Sequence, residues 1–169
     1  LRQVHLHYLR VFDAWAYLQS LNQNLEHGSS DILIAVNDTG VESVNENSQE
    51  IATNPSLRGF VTDLNGNLLS KVFRFYDFER KTDYIHKLAT KEKYANHGTN
   101  AASVASALID VNASMLGLNE GISGVAPNCR MILTKTFFGG EDFLKASEMI
   151  WLIGIDPTSY FDSDTIGNT

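Results

Sequence analysis

The sequence predicts an α/β domain organised around a mainly parallel sheet. The runs DILIAV at 31–36 and CRMILTKTF at 129–137 are short, apolar and rich in β-branched side chains, the pattern of strands covered on both faces. Helical patterns lie between and after them, and alternation of strand and helix calls for crossover connections between parallel neighbours. A chain of 169 residues, 43% of them hydrophobic, is long enough to bury one core. Neither an internal repeat nor a low-complexity linker divides it, so one domain over 1–169 is expected.

The elements follow in order. VFDAWAYLQSL at 11–21 sets Val11, Trp15, Leu18 and Leu21 along one helical face. Gly28 and the two serines after it punctuate the link to the first strand, which runs out into Asn37-Asp38-Thr39-Gly40. VESVNENSQEIATNPSL is expected to hold a short helix that stops before Pro55. GFVTDLNGNLLSKVFRF reads as a hairpin with Asn65-Gly66 at its turn. Residues 78–94 are expected to be helical around Tyr84, Ile85 and Leu88. Asn96 is a candidate N-cap for HGTNAASVASALIDV, where Ala101, Val104, Ala105 and Leu108 recur at i, i+3, i+4 and i+7. Its wealth of Ala and Ser implies close packing against a sheet. GLNEGISGVAP is a Gly-punctuated loop into the second strand, after which a Gly139-Gly140 turn and a helix over 142–153 are expected.

Composition narrows the function classes. Thirteen basic against twenty acidic side chains give a formal charge of -7, which speaks against a general nucleic-acid binder. Arg74, Arg80, Lys81 and Lys87 interleave with Phe73, Phe75, Tyr76, Phe78 and Tyr84. Single-strand binders have such a pattern, but Asp77, Glu79 and Asp83 interrupt it here and favour a mixed-charge strand and turn. No Gly-rich phosphate-binding signature is present, and no apolar run is long enough to span a membrane. The opening LRQVHLHYLR is not a secretory signal. Cys129 is alone, so no internal disulfide forms, and its apolar neighbours point to a buried thiol.

Two residues stand out as chemistry. Asp38 follows directly on an apolar strand, at the carboxyl end where open α/β sheets place their sites. His97 opens a helix, and an imidazole there can serve as a general base if a carboxylate fixes its tautomer. Singly, each has an ordinary reading, a turn cap for Asp38 and a surface polar group for His97.

The surrounding strings point further. IAVNDTGV at 34–41 resembles the aspartate motif of subtilisin-like serine peptidases, and NHGTNAASVAS at 96–106 resembles their histidine motif. GISGVAPNCRMILTKTF at 121–137 is similar to the segment in which a Gly-Val-Ala-Pro turn leads into a strand. The three occur in order within a motif-bearing region of 11–155. The resemblance implies a three-layer subtilisin-like fold, incomplete at the C-terminus, and a serine endopeptidase that hydrolyses peptide bonds by an Asp-His-Ser triad. Asp38 would orient His97, and His97 would take the serine proton and return it to the leaving amine. An asparagine and a backbone N–H would hold the oxyanion, an effect of about 3–4 kcal/mol. The chemistry would need no cofactor. Structural calcium occurs in the family, and Asp63, Asn65 and Asn67 alternate in a turn that could supply oxygens, although a plain hairpin turn explains them better.

The chain departs from the family pattern at several points. Asn100 replaces the usual second histidine, Ser106 stands where glycine is usual after Val104-Ala105, and Asn37 precedes the aspartate where an apolar or acidic residue is commoner. The 59-residue separation of Asp38 and His97 implies an insertion near 55–90. Gly-Thr-Ser with the nucleophile is not found, and Ser103, Ser159 and Ser163 lack the context to replace it. This chain alone is therefore expected to be inactive. The expected partners are a polypeptide substrate and the missing C-terminal half of the domain or another chain. The alternative is a catalytically inactive truncated or pseudo-peptidase acting as a binding or interaction module. The resemblance suggests a secreted or vacuolar/lysosomal compartment, which the sequence itself does not fix.

Overall fold

The structure, a computed structural model, describes residues 4–21, 25, 27–46, 49–78, 80–83, 85, 96–109 and 123–135. Two helices open the chain, α1 at Val4–Tyr8 and α2 at Val11–Ser20. The left-handed backbone of Arg10 (φ 55°) breaks the helical run between them. Of the face set by Val11, Trp15, Leu18 and Leu21, Val11 is buried and Trp15 and Leu18 are half-buried, whereas Leu21, just past the helix end, is exposed. Trp15 donates its indole N–H to the Val125 carbonyl at 3.0 Å, which ties α2 to the loop before the last described strand.

Among the described residues three strands form the central sheet: β1 at Leu33–Asp38, β6 at Val72–Asp77 and β7 at Arg130–Lys135. Their order is β1-β7-β6 and every pairing is parallel. The α/β class with a mainly parallel sheet therefore holds. Two small antiparallel hairpins sit between β1 and β6 in sequence: β2 (Ser43–Glu46) with β3 (Gln49–Ala52), and β4 (Phe60–Thr62) with β5 (Leu68–Ser70). Helix α3, His97–Ser106, lies in sequence between β6 and β7 and packs on β1 and β7. The core joins Val41, Leu57, Phe75, Ile85, Ala102, Met131 and Leu133, with Val36 and Ala105 against it.

Several elements differ from the sequence expectation. The helix expected before Pro55 is the β2–β3 hairpin followed by a 3-10 turn at Pro55–Leu57. Pro55 begins that turn, and the Asn54 side chain caps it by accepting from the Ser56 N–H at 3.0 Å. Strand pairing wins over helix here because Ser43 is held from outside. Its hydroxyl donates to the Ile85 carbonyl and accepts the Ile85 N–H, so β2 is anchored by a contact no local pattern announces. The Asn65-Gly66 turn forms as expected, with Gly66 at φ +84°. KVFRF, however, leaves that hairpin at Lys71 and joins the central sheet as β6. Among the described residues β1 is covered on one face only, with Leu33 and Ala35 exposed and Val36 turned to the core. Of the expected helix over 78–94, residues 80–83 form a turn closed by Asp77 and Thr82, and residues 79, 84 and 86–94 lie outside the described residues. The Gly139-Gly140 turn and the helix at 142–153 also lie outside them.

Helix α3 turns a different face inward from the one its apolar spacing selects. Gly98, Ala102, Ser103 and Ser106 are buried, whereas Val104 is exposed and Ala101 and Leu108 are half-buried. The smallest residues face the sheet because they let the backbone approach, and close packing outweighs the modest apolar gain of one valine. The helix stops at Ser106 rather than continuing through Leu108-Ile109. The loop before β7 ends it by donating three N–H groups, Gly124 to Ala107, Val125 to Val104 and Ala126 to Ala105, at 2.9–3.0 Å. That is the physical content of the Gly-Val-Ala-Pro segment. A Cβ on Gly124 would lie 2.4 Å from the Ser106 and Ala107 nitrogens, so only glycine admits this approach.

Candidate active site

The site lies at the carboxyl end of the sheet, where β1 ends and α3 begins. Asp38 is the last residue of β1 and His97 the first of α3. Residues 59 apart in sequence meet there: His97 Nδ1 lies 2.7 Å from Asp38 Oδ1 and 2.8 Å from Oδ2. A carboxylate can only accept, so Nδ1 carries the hydrogen and Nε2 is left as the basic nitrogen. The Asp38 side chain is 13% exposed, and that of His97 is 60% exposed. The carboxylate is thus sheltered while the imidazole stands toward solvent. Asp38 Oδ1 also accepts the Thr39 backbone N–H at 2.6 Å, which limits rotation of the carboxylate.

The turn after β1 and the start of α3 interlock at backbone level. Gly40 has φ +91°, and a Cβ on Gly98 would lie 2.5 Å from the Gly40 carbonyl oxygen. This contact is between main chains and has no flexible side chain to yield. Gly98→Ala is therefore expected to destabilise the protein by about 2–3 kcal/mol in urea unfolding. On an unencumbered helix the same change would stabilise by about 1 kcal/mol, so the sign reads the contact directly. Asn96, the expected N-cap, makes no side-chain cap bond. The Gly98 N–H instead donates to the Thr39 hydroxyl at 3.0 Å.

Beneath the pair, parallel register sets Asp38, Lys135 and Asp77 side by side at the strand ends. Asp77 is fully buried and accepts the Arg80 N–H on Oδ1 at 3.0 Å. Lys135 Nζ and the Arg80 guanidinium each lie 4.0 Å from its Oδ2. Two cations near one buried carboxylate offset the cost of its charge.

Two of the departures from the family pattern, Asn37 and Ser106, have structural explanations. Asn37 accepts the Thr134 hydroxyl on its Oδ1 at 2.7 Å, a bond across β1 and β7 that an apolar residue would forgo. Ser106 accepts from Lys71 Nζ at 2.7 Å and donates to the Ala126 carbonyl at 2.5 Å. Lys71 had no sequence signal, because a lone lysine between a serine and a valine reads as surface. It is fully buried and also donates to the carbonyls of Pro127 and Cys129. Cys129 is buried, as its neighbours suggested. Ser103 faces Ser56, with the two hydroxyls 3.3 Å apart, and does not meet His97. Asp63 accepts the Asn65 and Asn67 N–H groups and the Asn67 side-chain amide. Those bonds, the Asn67 side chain foremost, hold its carboxyl below the usual range. They are the bonds of a closed hairpin turn. Arg74 pairs with Asp83 at 2.7 Å, as the reading of a mixed-charge strand and turn implies, while Phe75 and Asp77 of the same run are buried.

A model of the subtilase family, Peptidase_S8, matches residues 29–156, more than half of the chain. The chain belongs to the subtilase family. Neither a curated protein nor a solved structure matches it. The family match spans β1, α3 and β7, the elements that build the site. A subtilase is a serine peptidase, and membership makes polypeptides its class of substrate. Among the described residues, no helix is long and apolar enough to cross a membrane.

Proposed function

We propose that Asp38 and His97 are the acid and base of an Asp-His-Ser triad in a serine endopeptidase, with the serine supplied by polypeptide outside these 169 residues. The reading rests on one observation, the two contacts of 2.7 and 2.8 Å from His97 Nδ1 to the Asp38 carboxylate. Nε2 takes the serine proton as the hydroxyl attacks the peptide carbonyl, and gives it to the leaving amine as the tetrahedral intermediate collapses. Asp38 stabilises the imidazolium formed between those steps. Side chains and backbone donors carry the reaction without a cofactor, and calcium, where bound, is structural. The remaining polypeptide pairs with β1, which among the described residues has a neighbour on one side only and exposes Ile32 and Leu33 beside it.

Intact mass of the naturally expressed protein, isolated with an antibody to residues 96–106, tests this. The expected product is well above 18.8 kDa and contains a Gly-Thr-Ser peptide that a fluorophosphonate probe labels. A natural product near 18.8 kDa that takes no label would overturn the peptidase reading. It would favour an interaction module instead.

A further inference from the structure

We propose that Thr39 is a positioning residue for the Asp38–His97 pair, gripping the carboxylate through its backbone N–H and the helix that carries the imidazole through its hydroxyl. The inference rests on the pairing proposed above. His97 and Gly98 are the first two residues of α3, where helix N–H groups have no intrahelical acceptor. The adjacent Asn96 does not cap them. Its backbone sits at φ -98°, ψ 0°, away from the extended conformation an N-cap residue normally adopts, and its side chain makes no cap bond. Thr39, 59 residues away, accepts the Gly98 N–H instead.

Thr39 is only 5% exposed, so water cannot readily replace its hydroxyl, and loss of that oxygen would leave a buried N–H unpaired. Gly40 and Gly98 make the close approach possible by lacking side chains, yet they supply no direction along the helix axis. Thr39 supplies it. Its N–H fixes Asp38 Oδ1 at 2.6 Å and its Oγ1 fixes the residue after His97 at 3.0 Å, so carboxylate rotation and helix position are set from one residue.

Valine at 39 keeps the shape and the backbone N–H and removes only the hydroxyl, whereas serine keeps the hydroxyl. Imidazole 15N–1H NMR of the intact polypeptide compares wild type, Thr39→Val and Thr39→Ser, with the His97 signal assigned by its loss in His97→Gln. In Thr39→Val the His97 Nδ1–H should exchange with solvent about tenfold faster, the factor carried by one capping bond. In Thr39→Ser it should stay near the wild-type rate. A wild-type rate in a folded Thr39→Val protein would overturn the inference. Should Thr39→Val fail to fold, the Gly98 amide decides. Protection of that amide in both wild type and Thr39→Ser supports the cap, and exchange at solvent rates in either overturns it. If the wild type itself shows no His97 Nδ1–H signal, the pairing fails first and the inference falls with it.

Discussion

Asn in place of Asp38 is expected to lower kcat by about four orders of magnitude with little change in KM, by the tautomer argument that holds for serine-peptidase triads. The geometry says why the effect should be this large. The Thr39 backbone N–H donates to Asp38 Oδ1, so an amide at 38 will keep its oxygen there and turn its NH2 toward His97 Nδ1. Nδ1 must then accept, and the ring hydrogen moves to Nε2, the atom that should take the serine proton. The helix, the strand and the surrounding contacts stay as they are, so substrate binding is spared. Steady-state kinetics on a peptide substrate, with the complete natural polypeptide, provides the check. An unchanged kcat would move the chemistry away from this pair.

The second large effect concerns stability. Lys71 is fully buried, and its three acceptors are the Ser106 hydroxyl and the carbonyls of Pro127 and Cys129. None of the three is a carboxylate. Burial lowers its pKa from 10.5 to about 7, with Cys129 acting weakly in the opposite sense. Below about pH 7 both the folded and unfolded states hold the proton, and the cost of a buried ammonium is fully present. Between about 7 and 10.5 the unfolded chain holds a proton that the folded one has released, so folding stability rises with pH across that window. The rise should be on the order of a few kcal/mol. In Lys71→Met this rise should disappear, although the variant also loses three hydrogen bonds and need not be more stable at neutral pH. Urea unfolding at several pH values from 6 to 10 measures it. Other groups that titrate in the window are common to both proteins, so the difference between the two curves isolates Lys71. Parallel curves would show that Lys71 keeps an ordinary proton affinity.

The two halves of the site were legible to different degrees. Asp38 and His97 were visible because each stands at the end of a strongly patterned element, an apolar β-branched run and a small-residue helix. The Asn65-Gly66 turn was equally plain, since only a few residues accept that backbone. Thr39 was visible as part of a motif, but its task was not, because the N–H it accepts belongs to a residue 59 positions away. Local rules assigned the cap to Asn96, the nearest suitable side chain, and the fold gave it to a distant one. The β2–β3 hairpin carries no local signal for the same reason. Its anchor is the backbone of Ile85, reached only after the chain has folded back.

The sequence by itself determined the elements whose cause is local: the two apolar strands, the helix that begins at His97, the glycine turns and the order of the motifs. Tertiary structure decided which face of α3 meets the sheet, where that helix stops, which group caps it and how a lysine comes to lie in the core. Each of those choices is settled by a close approach between distant segments, Gly98 to Gly40, Gly124 to Ser106, Lys71 to Pro127. At such contacts steric room and hydrogen-bond partners outweigh the preferences of the residues themselves, and neither can be read from neighbours along the chain.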